Sequence, residues 1–204
     1  MSMNAIVLSM WGWRFQHQVI ELQNAYDAAR AKTDGDRQRE EADWEELERK
    51  VAAGEASFYQ ENEDGQIIYD RGDVASERMY EIEVVLRLIR EAFTISLHHL
   101  FERQVSNRMK APYEEKKAFA FLKASGFKPD EPLLTALRLA ANVAKHSGGK
   151  SAQQLYNLRS DLFDTEEMAK WSHPPSYEYL KLTDQALSDF FEAVKRSGPQ
   201  RKKG

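Results

Sequence analysis

An all-α fold, a helical bundle with a long central helix and a small β-hairpin excursion near residues 57–70, is predicted by three features of the sequence. Apolar residues recur at helical spacing through most of the chain, β-branched alternation is scarce, and glycine and proline gather at a few points. With 204 residues, 42% of them hydrophobic, the chain can bury one substantial core and fits one domain better than two. The expected organisation is a single helical domain over residues 1–198 and a disordered basic tail over 199–204.

The elements follow in order. Phe15, Val19, Leu22, Tyr26 and Ala29 form one stripe and predict a first helix from about Trp11 to Lys32. The turn-forming run Thr33-Asp34-Gly35-Asp36 should break it. A charged second helix with the thin seam Trp44, Leu47, Val51 then reaches about Ala53, with Gly54 as its C-cap. Phe58-Tyr59 and Ile67-Ile68-Tyr69 flank the acidic run Glu61-Asn62-Glu63-Asp64-Gly65 and predict the hairpin. Asp73 can cap the longest helix, which carries Met79, Ile82, Val85, Leu86, Ile89, Phe93, Leu97, Leu100 and Phe101 and runs to about Asn107. Shorter helices are expected over Tyr113 to Ser125, ended by Gly126, then Glu131 to Lys145 and Ser151 to Arg159. Asp164-Thr165-Glu166-Glu167 reads as another helix start, and a closing helix runs from about Tyr177 to Arg196.

Composition narrows the function. Charged residues make up 30% of the chain but the net charge is only -4, so no global positive field points to bulk nucleic-acid binding. The absence of cysteine excludes disulfides, thiolate metal sites and a cysteine nucleophile. The apolar run Ala5 to Trp11 is too short to span a bilayer, so no membrane association and a soluble cytoplasmic protein are expected. No cofactor and no metal is assigned by any motif of specific spacing.

Ala144 to Ser151, AKHSGGKS, fits a relaxed phosphate-loop pattern. A phosphate loop needs a strand leading into the glycine turn, and here an apolar helix leads in. Gly148 and Gly149 read instead as a helix stop.

The helix before those glycines carries the main candidate site. Between Leu133 and His146 nearly every residue is apolar except Thr135, Arg138, Asn142, Lys145 and His146, which recur at spacings of three and four. Arg138, Asn142 and His146 stand at successive i, i+4 positions. An imidazole that titrates near neutrality, a guanidinium fork and an orienting amide suit proton transfer and phosphate recognition. The alternative is the wet side of an amphipathic helix, with Lys145 and His146 placed favourably at its negative end.

The segment RLAANVAKH, within an all-helical chain, resembles the signature of HEPN domains, helical proteins of bacterial toxin-antitoxin and phage-defence systems, many of them metal-independent RNases. That signature is an arginine, a short spacer opening with a polar residue, and a histidine, and the pair cuts RNA at a homodimer interface. Carried across, Arg138 matches the arginine and His146 the histidine. The seven-residue spacer is one longer than the family's, and Leu139 stands where its polar residue is expected. Asn142 with His146 fits a register without the arginine. The resemblance implies catalytic roles for His146, Arg138 and Asn142, a homodimer, RNA as substrate or ligand, and a cognate protein partner. The other reading of the same chain is a non-catalytic helical protein-protein interaction module.

His98, His99 and Glu102 form a second constellation, in which either histidine can reach Glu102 along one helix. Local ion pairing explains it more simply than a metal. Lys145, His99 and Glu102 are the expected supporting residues of the Arg138 to His146 line. Arg103, Arg108, Lys110, Lys116 and Lys117 make the most basic stretch. Asp161, Asp164, Glu166 and Glu167 need no function beyond starting a helix, and Trp171 with His173 precedes the Pro174-Pro175 break.

Overall fold

A computed structural model describes residues 3–146 and 149–199, with side chains from residue 10 onward. Its described elements are seven α-helices, two short strands and two single 3-10 turns, so the all-α prediction with one hairpin holds. The basic residues 200–204 and the pair Ser147-Gly148 lie outside the described residues.

Helix α1 runs unbroken over Met3–Ala52, so the break expected at Thr33 to Asp36 does not occur. Each turn-forming residue there is satisfied inside helical geometry. Thr33 Oγ1 donates to the Ala29 carbonyl at 3.2 Å, and Asp34 accepts from Arg30 Nε at 3.1 Å and from Arg37 at 3.4 Å. Asp36 pairs with Arg39. The Asp34 and Asp36 pairs with arginines at i, i+3 and i, i+4 thus favour the helix that those same carboxylates would oppose if they bonded locally in a turn. Gly54 ends α1 as expected, with φ +73. Its N–H donates to Val51 and the Glu55 N–H to Lys50, the paired bonds of a Schellman cap.

Strands β1 (Tyr59–Glu61) and β2 (Ile67–Asp70) pair antiparallel, with a register irregularity between Gln60 and Glu61. The acidic turn is held by Asn62, whose Oδ1 accepts from the N–H groups of Asp64 and Gln66 at 3.0 and 2.8 Å. Helix α2 (Arg71–Met109) begins two residues before the expected cap. Asp70 rather than Asp73 takes the free amides of its first turn, accepting from Gly72 at 2.8 Å, and Asp73 lies inside the helix. Val85, expected in the core, is 44% exposed. The apolar residues of this half of α2 are too many for one buried stripe.

Helix α3 (Glu115–Ala124) ends at Gly126 (φ +84) in a second Schellman cap, with Phe127 N–H on the Leu122 carbonyl. Helices α4 (Glu131–His146) and α5 (Lys150–Leu158) follow. Helix α6 (Thr165–Trp171) is capped by Asp164, which accepts from the Glu167 N–H at 3.1 Å. The closing helix α7 covers Asp184–Ser197 and not Tyr177 to Arg196. Leu180 pairs with Phe163 in an extended bridge, and Thr183 Oγ1 caps the helix by accepting from Ala186 N–H at 3.1 Å, so the preceding residues are bound elsewhere.

The chain forms two compact units, one of residues up to Tyr26 with those from Arg90 onward, the other Asp27–Ile89. The first holds the main core: Phe15 and Val19 of α1, Leu97 and Phe101 of α2, Leu122 of α3, Leu137 of α4, Leu155 of α5, and Phe190 and Phe191 of α7 are all buried. Asp184 ties three helices, accepting from Tyr26 Oη at 2.6 Å and from Arg90 Nε at 2.8 Å. Pro199 is buried, and its carbonyl accepts from Gln16 Nε2 at 3.0 Å. In the second unit Arg78 and Arg37 pair with Glu40 and Glu83, and Trp44 stacks on Phe58 with centroids 5.5 Å apart.

Candidate functional site

Helix α4 is built as its composition requires. Leu134, Ala136, Leu137, Leu139, Ala140, Ala141 and Val143 are buried, which leaves a narrow strip for its polar residues. Exposure rises along that strip. Thr135, Arg138 and Asn142 are half-buried, and Lys145 and His146 are exposed.

The four candidate side chains fan across about 100° of the helix surface. At 100° per residue, Asn142 lies about 40° round from Arg138 and Lys145 about 20° the other way, but His146 about 80° round. His146 also stands roughly 12 Å further along the axis. Arg138, moreover, is engaged: its Nε donates to Glu115 Oε1 on α3 at 3.0 Å, with both side chains about three-quarters buried. Arg138 is thus committed to Glu115, and His146 stands about two turns further along α4. The residue that continues the Arg138 line is Lys145.

The charges of α4 do act on His98, in the second half of α2. The His98 side chain is buried, and neither ring nitrogen has a hydrogen-bond partner. Burial pushes its imidazole down to about 4. The Glu102 carboxylate, 3.8 Å from Nδ1, opposes that shift, while the positive charges of Lys145 and Arg138 and the neighbouring His99 add to it. His98 packs edge-on against Tyr113, with centroids 6.1 Å apart. The Tyr113 hydroxyl is held well above the ordinary tyrosine value by burial and then by Glu115. His98, Glu102, Tyr113, Glu115, Arg138 and Lys145 thus form one electrostatically coupled cluster. Tyr113 and Glu115 are not evident in the sequence because neither carries a helical-spacing signal toward α4.

His99 is exposed, and its Nδ1 lies 3.1 Å from Glu102 Oε2. The donor atoms of His98, His99 and Glu102 all lie within 4.8 Å of one another, the one group among the described residues able to hold a metal ion. His146 does not join it in any described contact.

The remaining candidates resolve simply. Arg108 covers the Trp11 ring at 5.6 Å, and Lys117 pairs with Glu114 at 2.6 Å. Asp161 is held below the usual carboxylate range by its hydrogen bonds from Arg159. Trp171 is 57% exposed and donates to Glu167, and His173 bonds Tyr179. The AKHSGGKS stretch is entered by helix α4, not by a strand, and Gly149 (φ +79) caps the start of α5.

One charge pattern emerges only when the two helices are taken together. Between Glu131 and Asp161 the chain carries no carboxylate side chain but has Arg138, Lys145, His146, Lys150 and Arg159. Glu115 and Asp161 neutralise Arg138 and Arg159, which leaves Lys145, His146 and Lys150 exposed around the α4 to α5 junction.

Comparison with known proteins finds no matching family model, no similar curated protein and no similar solved structure. Among the described residues, no helix is long and apolar enough to cross a membrane.

Proposed function

We propose that the chain is a HEPN-like RNA-directed protein that contacts RNA through the α4 to α5 junction. The observation that carries this reading is the exposed group Lys145, His146 and Lys150, set in a stretch of sequence without carboxylates in a chain whose net charge is -4. His146 is the proton-transfer group and Lys145 a phosphate contact. Arg138 and Asn142 form the half-buried base of the strip. Because Arg138 and His146 stand roughly 12 Å apart along one helix, cleavage requires a second copy to complete the constellation, which is the role of the homodimer that the resemblance implies. A metal-independent endoribonuclease of a defence or toxin system is the sharpest form of this reading.

Binding of a labelled single-stranded RNA, followed by anisotropy across a salt series, tests it. The Lys145→Ala, Lys150→Ala double variant is expected to weaken binding at low salt and to lower the salt slope by about 1.4, roughly 0.7 for each phosphate no longer neutralised. An unchanged slope, or no binding by the parent, counts against the proposal.

A second reading, a protein-protein interaction module, is favoured by a different observation. Tyr59, Ile67, Ile68 and Tyr69 of the hairpin are 42–59% exposed, and Tyr80 of α2 is 70% exposed.

A further inference from the structure

We propose that His98, His99 and Glu102 of α2 form a zinc site of two imidazoles and one carboxylate. Three observations carry it. Their donor atoms already lie within 4.8 Å of one another, with the Glu102 Oε2 atom 3.1 Å from His99 Nδ1 and 3.8 Å from His98 Nδ1. Ligands at about 2.0–2.1 Å from a tetrahedral zinc stand roughly 3.3 Å apart, so small side-chain rotations suffice to close the triangle. Secondly, the His98 side chain is only 7% exposed and its ring nitrogens have no hydrogen-bond partner, whereas buried polar atoms are ordinarily paired. A cation bound to one of them supplies the missing partner. Thirdly, one ligand is open to solvent: His99 lines an open groove of about 690 Å³ between α1 and α2, with Gln18, Glu21 and Arg103 on its walls.

Two neutral nitrogens and one carboxylate oxygen suit zinc and leave a fourth position for water. Of the two α4 cations that act on His98, Lys145 and Arg138, the second is paired with Glu115 and so repels the metal less than its charge suggests. This inference does not rest on RNA binding, because its readout is metal affinity alone.

The test is titration of the untagged, chelator-treated full chain with Zn²⁺ against a chromophoric competitor, with Co²⁺ absorption as the spectroscopic signature. One saturable equivalent is expected. His99→Ala and Glu102→Gln, both at positions reached by solvent, should each weaken it at least about tenfold, since even loss of a group that only orients a ligand costs roughly 10–100-fold. His17→Ala, on the wall of the same groove, should leave it unchanged. Absence of saturable binding overturns the proposal. So does binding that either ligand variant leaves intact, provided circular dichroism shows that the variants fold.

Discussion

His98 joins the chemistry of single residues to stability. Its imidazole is held at about 4 against an ordinary 6.5, chiefly by burial. The unfolded chain therefore takes up a proton as pH falls through 6.5, while the folded chain does so only near 4. In metal-free protein its contribution is full above pH 6.5 and is lost as pH falls toward 4, by about 3 kcal/mol in all. Glu102, His99, Lys145, Arg138 and Tyr113 surround it, and none is removed in His98→Phe. Denaturant titrations at pH 7 and pH 4.5 should show that this variant loses less stability on acidification than the parent. Equal losses would place the acid sensitivity elsewhere. At this scale the sequence was partly legible. Arg138, Asn142 and His146 were visible as a strip, but the partner of Arg138 lies 23 positions away at Glu115, and no spacing along α4 announces it.

Among the elements, glycine separates what local signals settle from what they do not. Gly54 and Gly126 were readable as helix ends because positive φ and the Schellman bonds are local requirements. Gly35 carried the same signal and sits inside α1. The difference lies in its neighbours, the Arg30, Arg37 and Arg39 pairs, which hold the helix across the turn-forming residues. Gly35→Ala should therefore stabilise by roughly 0.5–1 kcal/mol, since a Cβ there meets only Arg39 at 3.8 Å. Gly126→Ala should destabilise by about 1 kcal/mol, since φ is +84. Thermal melts of the two variants moving the same way would refute this account of α1. The late start of α7 was illegible for a related reason: the bridge from Leu180 to Phe163 is a long-range contact that overrides helical propensity in Tyr177 to Leu182.

At the level of the whole molecule, the all-α class followed from helical periodicity, scarce β-branched alternation and clustered glycine and proline, whereas no sequence signal marked the division into two units, because α1 and α2 contribute to both. Light scattering at micromolar concentration should give a dimer, and Ile67→Ser with Ile68→Ser, at positions 57% and 59% exposed, should shift it toward monomer if the hairpin takes part. A monomeric parent would remove the basis for a site shared between copies. Action of the exposed end of α4 on RNA, as proposed, is read by incubating the protein and its His146→Ala variant with total RNA and tRNA in EDTA. Cleavage by the parent and not by the variant is the predicted result, and an inactive parent, or a variant that cleaves as fast, would contradict it.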